Sequence, residues 1–410
     1  MCAKHPMSSR MDTLPWLQDG THQIWLRTQA FRLLDTFRTS LRRDGGFDVL
    51  GSDTTPLPCG PQELHTTTRL IHSFALGKLF GAPDCDDIID AGMRFLWDHH
   101  RDQDHGGYVW SIAPNGTPCE GRKLAYGHVF VLLAASSAKK VGHPDADRFL
   151  DNICDVLDHY FWDAERDRFR EEFERDWQSF STYRGMNANM HGVEALLAAF
   201  EATGKCQFLD RAGRILDFFI AQIAPQHGMR IPEHFSNDWT VDHDYAGDPM
   251  FRPPGTTPGH SVEWARLALQ YWDLSGRPAS ELPDLTRSLI YQALSDAWHP
   301  EGGLIYTLDM QGNPAISDRY WWPVTEAIGA IASLLKMETN AEDETWYRRL
   351  WTFSDTHLID HKLGGWFPEL DTSGQPSSEQ FQGKPDIYHA LQALLLPLDP
   401  RLSRIGHNKA

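Results

Sequence analysis

Several features that mark other classes of protein are missing from this 410-residue chain. No apolar run approaches the roughly 20 residues of a membrane-spanning helix, and residues 1–19 contain no apolar core of the signal-peptide type. The six cysteines are scattered, without a C-x-x-C pair. Reduced thiols are the simplest expectation, and together these absences predict a cytoplasmic protein without a membrane span.

Positive charge is scarce as well. The chain has 38 Lys and Arg residues against 56 Asp and Glu residues, and its formal net charge is −18. A surface with this balance repels nucleic-acid phosphates and anionic lipid head groups. We therefore expect neither nucleic acid nor a membrane as a partner, whereas a small neutral ligand is compatible with the charge.

Compact motifs for metals, nucleotides and nucleophilic catalysis are absent too. The sequence contains no H-E-x-x-H, no EF-hand loop, no P-loop and no G-x-S-x-G. Histidines and carboxylates are plentiful, but they fall on different predicted helices, which suits a distributed pocket better than a compact set of metal ligands. The sequence thus predicts a site without a metal and without a cofactor.

What the chain does have is a sixfold repeat. A Gly-rich turn flanked by aromatic residues recurs, and a long amphipathic segment follows each copy. The intervals between turns are 61, 62, 60, 74 and 62 residues, measured between Gly46, Gly107, Phe169, Met229, Gly303 and Gly365. A period of this length indicates a repeat architecture in which each unit holds two helices and a short hairpin.

Six helix pairs predict a mainly α protein, an (α/α)6 barrel with short β-hairpins near its mouth. We expect one domain over residues 1–410, with a short N-terminal extension over about residues 1–14. The predicted inner helices are 62–80, 124–140, 187–203, 260–274, 322–336 and 386–397. The predicted outer helices are 21–42, 84–101, 145–160, 207–223, 284–297 and 341–358.

Polar residues on the inner helices follow the same period. One ionisable side chain lies near the start of each helix, at intervals of 59, 63, 69, 66 and 63 residues: Arg69, His128, His191, His260, Glu326 and His389. In a closed barrel these positions converge on one central cavity.

Helical spacing gives two of these histidines a carboxylate neighbour. Glu263 follows His260 by three residues, and Asp386 precedes His389 by three, so each histidine is predicted to pair with that carboxylate. A carboxylate beside a histidine stabilises the imidazolium and fixes the ring tautomer. That arrangement suits a general acid or base working near pH 7.

Several positions also have a purely structural interpretation. His128 packs in the core if Tyr126 is the side chain that faces the cavity, and Arg69 is equally well explained as a member of a structural ion pair. Trp321–Trp322 suits the core as well as a sugar platform, and Asn187 suits a helix cap. The residues alone leave these alternatives open.

Six segments of the chain are similar to those of the N-acylglucosamine 2-epimerase superfamily, and more closely to its mannose isomerase branch. The matching segments are 68–74 (TRLIHSF), 125–135 (AYGHVFVLLAA), 186–195 (MNANMHGVEA), 258–267 (PGHSVEWARL), 321–327 (WWPVTEA) and 383–390 (GKPDIYHA). They extend from the first repeat to the last, and the fourth and sixth together are a specific combination. The family fold is the (α/α)6 barrel.

The resemblance implies a metal-independent aldose–ketose isomerase that works through a cis-enediol, interconverting D-mannose and D-fructose or D-lyxose and D-xylulose. By motif, His260 and His389 are the acid/base pair, expected on opposite walls of the barrel, and Arg69 contacts sugar oxygens. The predicted substrate-binding residues, from spacing and resemblance together, are Arg69, Tyr126, Asn187, His191, Glu194, Glu263, Trp321, Trp322, Glu326 and Asp386.

Other functions remain open at this point. One base that carries the proton between C2 and C1 gives isomerisation, whereas two bases on opposite faces of C2 give a 2-epimerase of free sugars. A sulfo-sugar isomerase, an inverting glycoside hydrolase using Glu263 and Glu326, and a non-catalytic sugar-binding module are further alternatives. We also expect a monomer or homodimer, and we interpret residues 235–254 as a lid over the pocket.

Overall fold

The computed structural model describes residues 14–402, apart from positions 59, 246, 248 and 249. The predicted N-terminal extension therefore lies almost entirely outside the described residues. In chain order the helices are α1 (Gly20–Arg38), α2 (Leu64–Leu79), α3 (Asp86–Phe95), α4 (Ala125–Lys140), α5 (Ala146–Val156), α6 (Met186–Thr203), α7 (Cys206–Leu216), α8 (Ala224–Gln226), α9 (Pro258–Leu274), α10 (Leu282–Ala297), α11 (Trp321–Met337), α12 (Ala341–Phe353) and α13 (Ile387–Leu395).

These helices form the predicted (α/α)6 barrel. The inner helices α2, α4, α6, α9, α11 and α13 contact one another in that order, and α13 contacts α2 to close the ring. The outer helices α3, α5, α7, α10 and α12 each pack on the inner helix that precedes them, whereas α1 packs on α13. The first outer helix and the last inner helix thus join the two ends of the repeat.

Burial separates the two kinds of helix. In α6, every residue from Ala188 to Leu197 is buried, as expected of a helix packed on all sides. In α7 the buried residues are Phe208, Ala212, Ile215 and Leu216, which form a single stripe facing inward. Among the described residues, none of the helices is both long enough and apolar enough to cross a membrane.

Four outer helices end in a turn of π-helix before the Gly-rich turn of their repeat. These π-helical turns are Leu96–His100, Leu157–Phe161, Asp217–Ile223 and Ser354–Leu358. In the turn that follows the first of them, Asp102 N–H donates to Gly107 O at 2.8 Å, and Gly106 N–H donates back to Asp102 O at 2.9 Å. Both glycines have positive φ, 73° and 65°, which explains why the repeat uses glycine there.

Short antiparallel strands connect the helices, as the sequence predicted. In chain order they are β1 (Val49–Leu50), β2 (Pro56–Leu57), β3 (Gln62–Glu63), β4 (Ser111–Ile112), β5 (Pro118–Glu120), β6 (Lys123–Leu124), β7 (Trp162–Asp163), β8 (Arg168–Phe169), β9 (Glu172–Phe173), β10 (Arg184–Gly185), β11 (His234–Phe235), β12 (Ile305–Leu308), β13 (Pro314–Tyr320), β14 (Glu369–Leu370) and β15 (Pro376–Ser377). The largest sheet has the order β12-β13-β14-β15.

These connections hold the N-terminal ends of the inner helices. The first N–H of α2 donates to Trp110 O at 2.8 Å, that of α4 to Glu171 O at 2.8 Å, and that of α6 to Glu233 O at 3.0 Å. Each acceptor lies in the following repeat. A helix leaves its first N–H groups without partners inside the helix, so these bonds fix where each inner helix begins.

His128 is a structural residue, although it shares the period of the inner-helix polar residues. Its ring is fully buried, and its Nε2 accepts a hydrogen bond from Tyr108 N–H at 3.0 Å. Its Nδ1 lies 2.7 Å from Leu124 O. Asn189 has the same role one repeat later, because its Oδ1 accepts from Phe169 N–H at 2.8 Å. Tyr126 lines the cavity in place of His128, which is the structural interpretation of His128 that the sequence left open.

We therefore expect His128→Ala to cost about 1–3 kcal/mol of unfolding free energy, because it leaves a buried N–H without an acceptor. His128→Gln should cost less, since its side-chain oxygen restores an acceptor for that group. Urea denaturation followed by circular dichroism measures both values. Equal losses for the two variants would contradict this account of His128.

Candidate active site

An open cavity of about 750 Å³ lies at the N-terminal ends of the inner helices. Ten of the twelve predicted site residues line it: Arg69, Tyr126, Asn187, His191, His260, Glu263, Trp321, Trp322, Asp386 and His389. The other two, Glu194 and Glu326, are buried behind this lining, where they contact the histidines of the wall. The cavity therefore brings together residues from all six repeats.

The inner helices present their side chains to the cavity in layers. The second residue of α2 is His65 and the sixth is Arg69, one helical turn deeper; in α6 the same positions hold Asn187 and His191. In α11 they hold Trp322, which lines the cavity, and Glu326, which lies behind it. Residues four apart lie on one face of a helix, so a common helix start gives a common inward face.

Both histidines of the predicted pair have a carboxylate partner, but from another repeat than the sequence indicated. His260 Nδ1 lies 2.9 Å from Glu233 Oε1, at the start of the β11 segment. His389 Nδ1 lies 2.8 Å from Glu326 Oε1 on α11. The predicted pairing of His260 with Glu263, and of His389 with Asp386, is wrong. Helical neighbours share a face, but here the counter-charge lies across the interface between helices.

This pairing fixes the proton on each ring. A carboxylate only accepts hydrogen bonds, so Nδ1 carries the proton and Nε2 keeps a lone pair in the neutral ring. Within the described part of the chain, Nε2 has no hydrogen-bond partner in either His260 or His389. Either ring, when neutral, can therefore accept a proton from a bound molecule at Nε2.

Trp322 lies between the two histidines. Its ring centroid is 4.9 Å from that of His260 and 5.8 Å from that of His389. Gly259 permits this position, because a Cβ there would lie 2.5 Å from the Trp322 ring. The two histidines thus stand on α9 and α13, on either side of α11. They do not face each other from opposite walls, as the resemblance had suggested.

Arg69 on α2 supplies a fixed positive charge to the cavity wall. Helix α2 is the neighbour of α13, which carries His389. Its Nη1 donates to Asp386 Oδ2 at 2.7 Å, and its Nη2 donates to the hydroxyl of Tyr126 at 2.7 Å. Burial raises the pKa of Tyr126 to about 12, so this hydroxyl stays protonated. Burial acts to raise the pKa of Asp386, but Arg69 holds it below the ordinary value.

Three lining residues carry buried polar atoms that have no hydrogen-bond partner among the described residues. These atoms are Oδ1 of Asn187, Nδ1 of His191 and both carboxyl oxygens of Glu263. Burial lowers the pKa of His191 to about 4, and burial with the nearby Glu326 raises the pKa of Glu263 well above its ordinary value. At neutral pH the site therefore offers a neutral imidazole, a carboxyl group with a raised pKa and an amide, which suit a ligand rich in hydroxyl groups.

Two groups of three side chains have metal-ligand chemistry. Ligand atoms of His191, Glu194 and Glu263 lie within 4.8 Å of one another, as do those of Glu263, Glu326 and His389. Arg266 lies against both groups, with Nη2 2.9 Å from Glu326 Oε2 and 3.5 Å from Glu263 Oε1. A guanidinium in this position repels a divalent cation, so these residues fit a metal poorly.

The cations that line the cavity all have acidic partners. Arg252 lies 2.9 Å from Glu172, Lys384 lies 2.6 Å from Asp360, and Arg122 lies 2.9 Å from Glu120. Arg69 is paired with Asp386, as described above. An anionic group on a ligand would therefore compete with a carboxylate at each of these positions.

Among the residues that sequence reasoning missed are Glu233, which lines the cavity and pairs with His260, and Arg266, which lies behind the lining. Both have a signal in the repeat period. Glu233 stands 62 residues after Glu171, and the carbonyl groups of both accept the first N–H of an inner helix. Arg266 is the ninth residue of α9, as Glu194 is the ninth residue of α6. Aligning the repeats on their helix starts, rather than on charged residues, would have found both.

The predicted lid over residues 235–254 stays a prediction. Positions 246, 248 and 249 lie outside the described residues. Tyr245, Met250 and Arg252 line the cavity, and the hydroxyl of Tyr306 donates to the carbonyl of Met250.

Comparison with known proteins identifies the family and relatives of this fold. A sequence model of the N-acylglucosamine 2-epimerase family matches residues 45–393. The chain is 40% identical to a D-mannose isomerase from Thermobifida fusca, over 94% of this chain and 96% of that protein. It is 21% identical to a cellobiose 2-epimerase from Bacteroides fragilis, over 81% and 86% of the two chains. A crystal structure of D-mannose isomerase superposes with a TM-score of 0.86 and 31% identity, covering 92% of this chain and 97% of that one.

The Arg69–Asp386 pair predicts a pH-dependent contribution to stability. Because the folded-state pKa of Asp386 is lowered from 3.8, the contribution is present above that value and is lost as the pH falls through the folded-state value. We expect Asp386→Asn to cost about 3 kcal/mol at pH 7. Melting temperatures of both proteins, taken from pH 7 to the lowest pH at which they fold, should converge. A constant difference would rule out this linkage.

Proposed function

This chain belongs to the N-acylglucosamine 2-epimerase family, and we propose that it is an aldose–ketose isomerase that interconverts D-mannose and D-fructose without a metal. D-Lyxose and D-xylulose are the second substrate pair that we propose. The observation that carries this proposal is the pair of carboxylate-held histidines, His260 and His389, whose Nε2 atoms lie in one cavity on either side of Trp322.

The reaction has two stages, ring opening and isomerisation, and the pair supplies acid/base groups for both. The sugar ring must first open, which takes a base on the anomeric hydroxyl and an acid on the ring oxygen. A base then removes the proton from C2, and the same proton returns to C1 through the cis-enediol, while a proton moves between the oxygens on C1 and C2. A histidine with a free Nε2 performs either task near pH 7.

Charge that develops on the enediol oxygens needs stabilisation. Arg69 is a fixed cation, held by Asp386 and Tyr126, and its side chain is buried. The inner helices also direct their N-terminal ends at the cavity, and the positive end of a helix dipole favours an anion. A preorganised positive field of this kind lowers the barrier because it needs no rearrangement during the reaction.

The remaining lining residues bind the sugar in this proposal. The polar atoms of Asn187, His191 and Glu263 that lack a hydrogen-bond partner bind hydroxyl groups of the sugar. The flat face of Trp322 packs against the apolar face of the sugar between the two histidines. The roles of Glu194 and Glu326 are indirect, because each holds a histidine of the wall.

The nearest alternative is a 2-epimerase of free sugars. The presence of two histidines with open Nε2 atoms favours it, because epimerisation needs a base on each face of C2. Our preference for isomerisation follows the relatives, since the similarity to a D-mannose isomerase is much higher than that to a cellobiose 2-epimerase. The two activities differ in whether fructose accumulates.

Three more distant functions find less support. A sulfo-sugar isomerase needs a free cation, and each lining cation is already paired with a carboxylate. An inverting glycoside hydrolase needs carboxyl groups about 6.5–9.5 Å apart, but Glu263 and Glu326 lie within 4.8 Å. A non-catalytic sugar-binding module does not require two histidines that are held by carboxylates. The expected cytoplasmic location and the monomeric or homodimeric state stay predictions.

Proton NMR of D-mannose with EDTA-treated protein in deuterated water tests the proposal directly. We expect fructose to form, with deuterium entering at C1 or C2 to the extent that the histidine exchanges its proton with solvent. Glucose without fructose would replace the isomerase by a 2-epimerase. If mannose stays unchanged, and lyxose treated in the same way also stays unchanged, both the isomerase and the 2-epimerase proposals are excluded.

Substitution of the two histidines tests their roles. We expect His260→Gln and His389→Gln each to lower kcat/KM for mannose by about 100-fold or more, because each removes an acid/base group. His105→Gln is the matched control, since that histidine is exposed and lies outside the cavity. Retention of more than about a tenth of the activity in either cavity variant would exclude that histidine from proton transfer.

A further inference from the structure

The two histidines of the site are electrostatically unequal. The carboxylate of Glu233 pairs with His260 and, within the described part of the chain, with no arginine or lysine. The carboxylate of Glu326 pairs with His389 through Oε1 and with Arg266 through Oε2. One histidine therefore faces an undivided negative charge, whereas the other faces a charge shared with a guanidinium.

Arg266 is deeply buried beneath the cavity and does not line it. It is 1% exposed, and both its Nε and its Nη2 approach the same oxygen, Glu326 Oε2, at 3.0 and 2.9 Å. Gly329 on α11 makes room for this side chain, because a Cβ there would lie 3.0 Å from Arg266 Cδ. The position is thus shaped by two helices, α9 and α11, to direct a buried cation at the far side of Glu326.

The charged surroundings of Arg266 account for its burial. Glu326 is its nearest partner, and Glu194 and Glu263 also favour its charged form. Burial acts to raise the pKa of Glu326, but Arg266 and His389 hold it below the ordinary value, so this carboxylate is ionised. Without Arg266, the undivided charge of Glu326 would favour the imidazolium of His389, and the imidazolium cannot accept a proton.

We infer that Arg266 is a positioning residue that shares the charge of Glu326 and thereby keeps His389 free to accept a proton. The inference rests on the proposed acid/base role of His389 but concerns a residue outside the cavity. It also makes the two histidines unequal, because the carboxylate partner of His389 contacts a guanidinium and the carboxylate partner of His260 does not.

The other groups around His389 leave this role to Arg266. From α11 the ring faces Glu326, Trp321 and Trp322; from α13 it faces Asp386 and Tyr388. From α9 it faces Glu263, and from α6 it faces His191. Burial raises the pKa of Glu263 and lowers that of His191 to about 4, while Asp386 is already paired with Arg69. Arg266 is the cation in contact with the carboxylate that holds His389.

The test uses full-length protein with 15N-labelled histidine, and it compares Arg266→Met with Arg266→Lys. In Arg266→Met, we expect the protonation of His389, followed by NMR, to move to higher pH by about one unit, and the acid limb of kcat/KM to move with it. Arg266→Lys keeps the charge and should stay closer to the wild type. His260 signals serve as an internal control and should not move.

A purely structural role for Arg266 predicts another result. Arg266→Met would then lower the melting temperature but leave the titration of His389 and the acid limb in place, and that outcome would overturn the inference. Arg319→Met is a matched control, since it removes another buried arginine, 4% exposed, outside the cavity. It should leave both readouts unchanged.

A second variant and a second readout cover two other outcomes. If Arg266→Met does not fold, Gly329→Ala displaces the guanidinium while every charge is retained. We expect a smaller shift in the same direction, and the absence of any shift would count against the inference. If the wild type does not convert mannose, the proposed function fails, but the NMR titration still decides whether Arg266 controls His389.

Discussion

Buried charge is the constraint on which this structure depends. A charged side chain that is removed from water needs a partner of opposite charge, because its desolvation is otherwise too costly. Arg69 in the cavity wall, and Arg266, Glu194 and Glu326 behind it, are all buried. Arg69 meets Asp386 of the last repeat, and Arg266 of α9 meets Glu326 of α11. These charges are balanced only when the helices of the ring are in place, so closure of the barrel and formation of the site are one event.

The connections between helices provide partners for polar groups of the polypeptide backbone in the same way. Each of several inner helices begins where its first N–H group finds a carbonyl of the following repeat, as α6 does at Glu233. The residue that provides this carbonyl also provides the carboxylate of His260. A single position therefore fixes both the start of one helix and the orientation of a ring on the next. This double role of one position explains why the polar residues of the site follow the repeat period.

The arrangement also separates the tasks of the site by depth. Trp322, His260 and His389 line the cavity, where a sugar would lie. Glu233, which holds His260, also lines it, whereas Glu326, which holds His389, is buried behind the lining. Arg266 forms a third level, without access to a ligand. In the proposed isomerase, groups that exchange protons are thus supported by groups whose charge does not change. The open atoms of Asn187, His191 and Glu263 complete the site for hydroxyl groups, and the paired cations favour a neutral sugar over an anionic one.

The sequence by itself determined the barrel, since the period predicts six helix pairs and hydrophobic patterning separates inner from outer helices. It also placed ten of the predicted residues in the cavity lining, because residues at equal distances from equivalent helix starts converge in a closed ring. Only the tertiary structure decided which charges pair. His260 meets Glu233, 27 residues away, His389 meets Glu326, 63 residues away, and Arg69 meets Asp386, 317 residues away. Neighbours at helical spacing were the wrong partners, because a buried side chain is neutralised by whatever the facing helix brings to it. That choice depends on the closure of the ring and has no local signature in the chain.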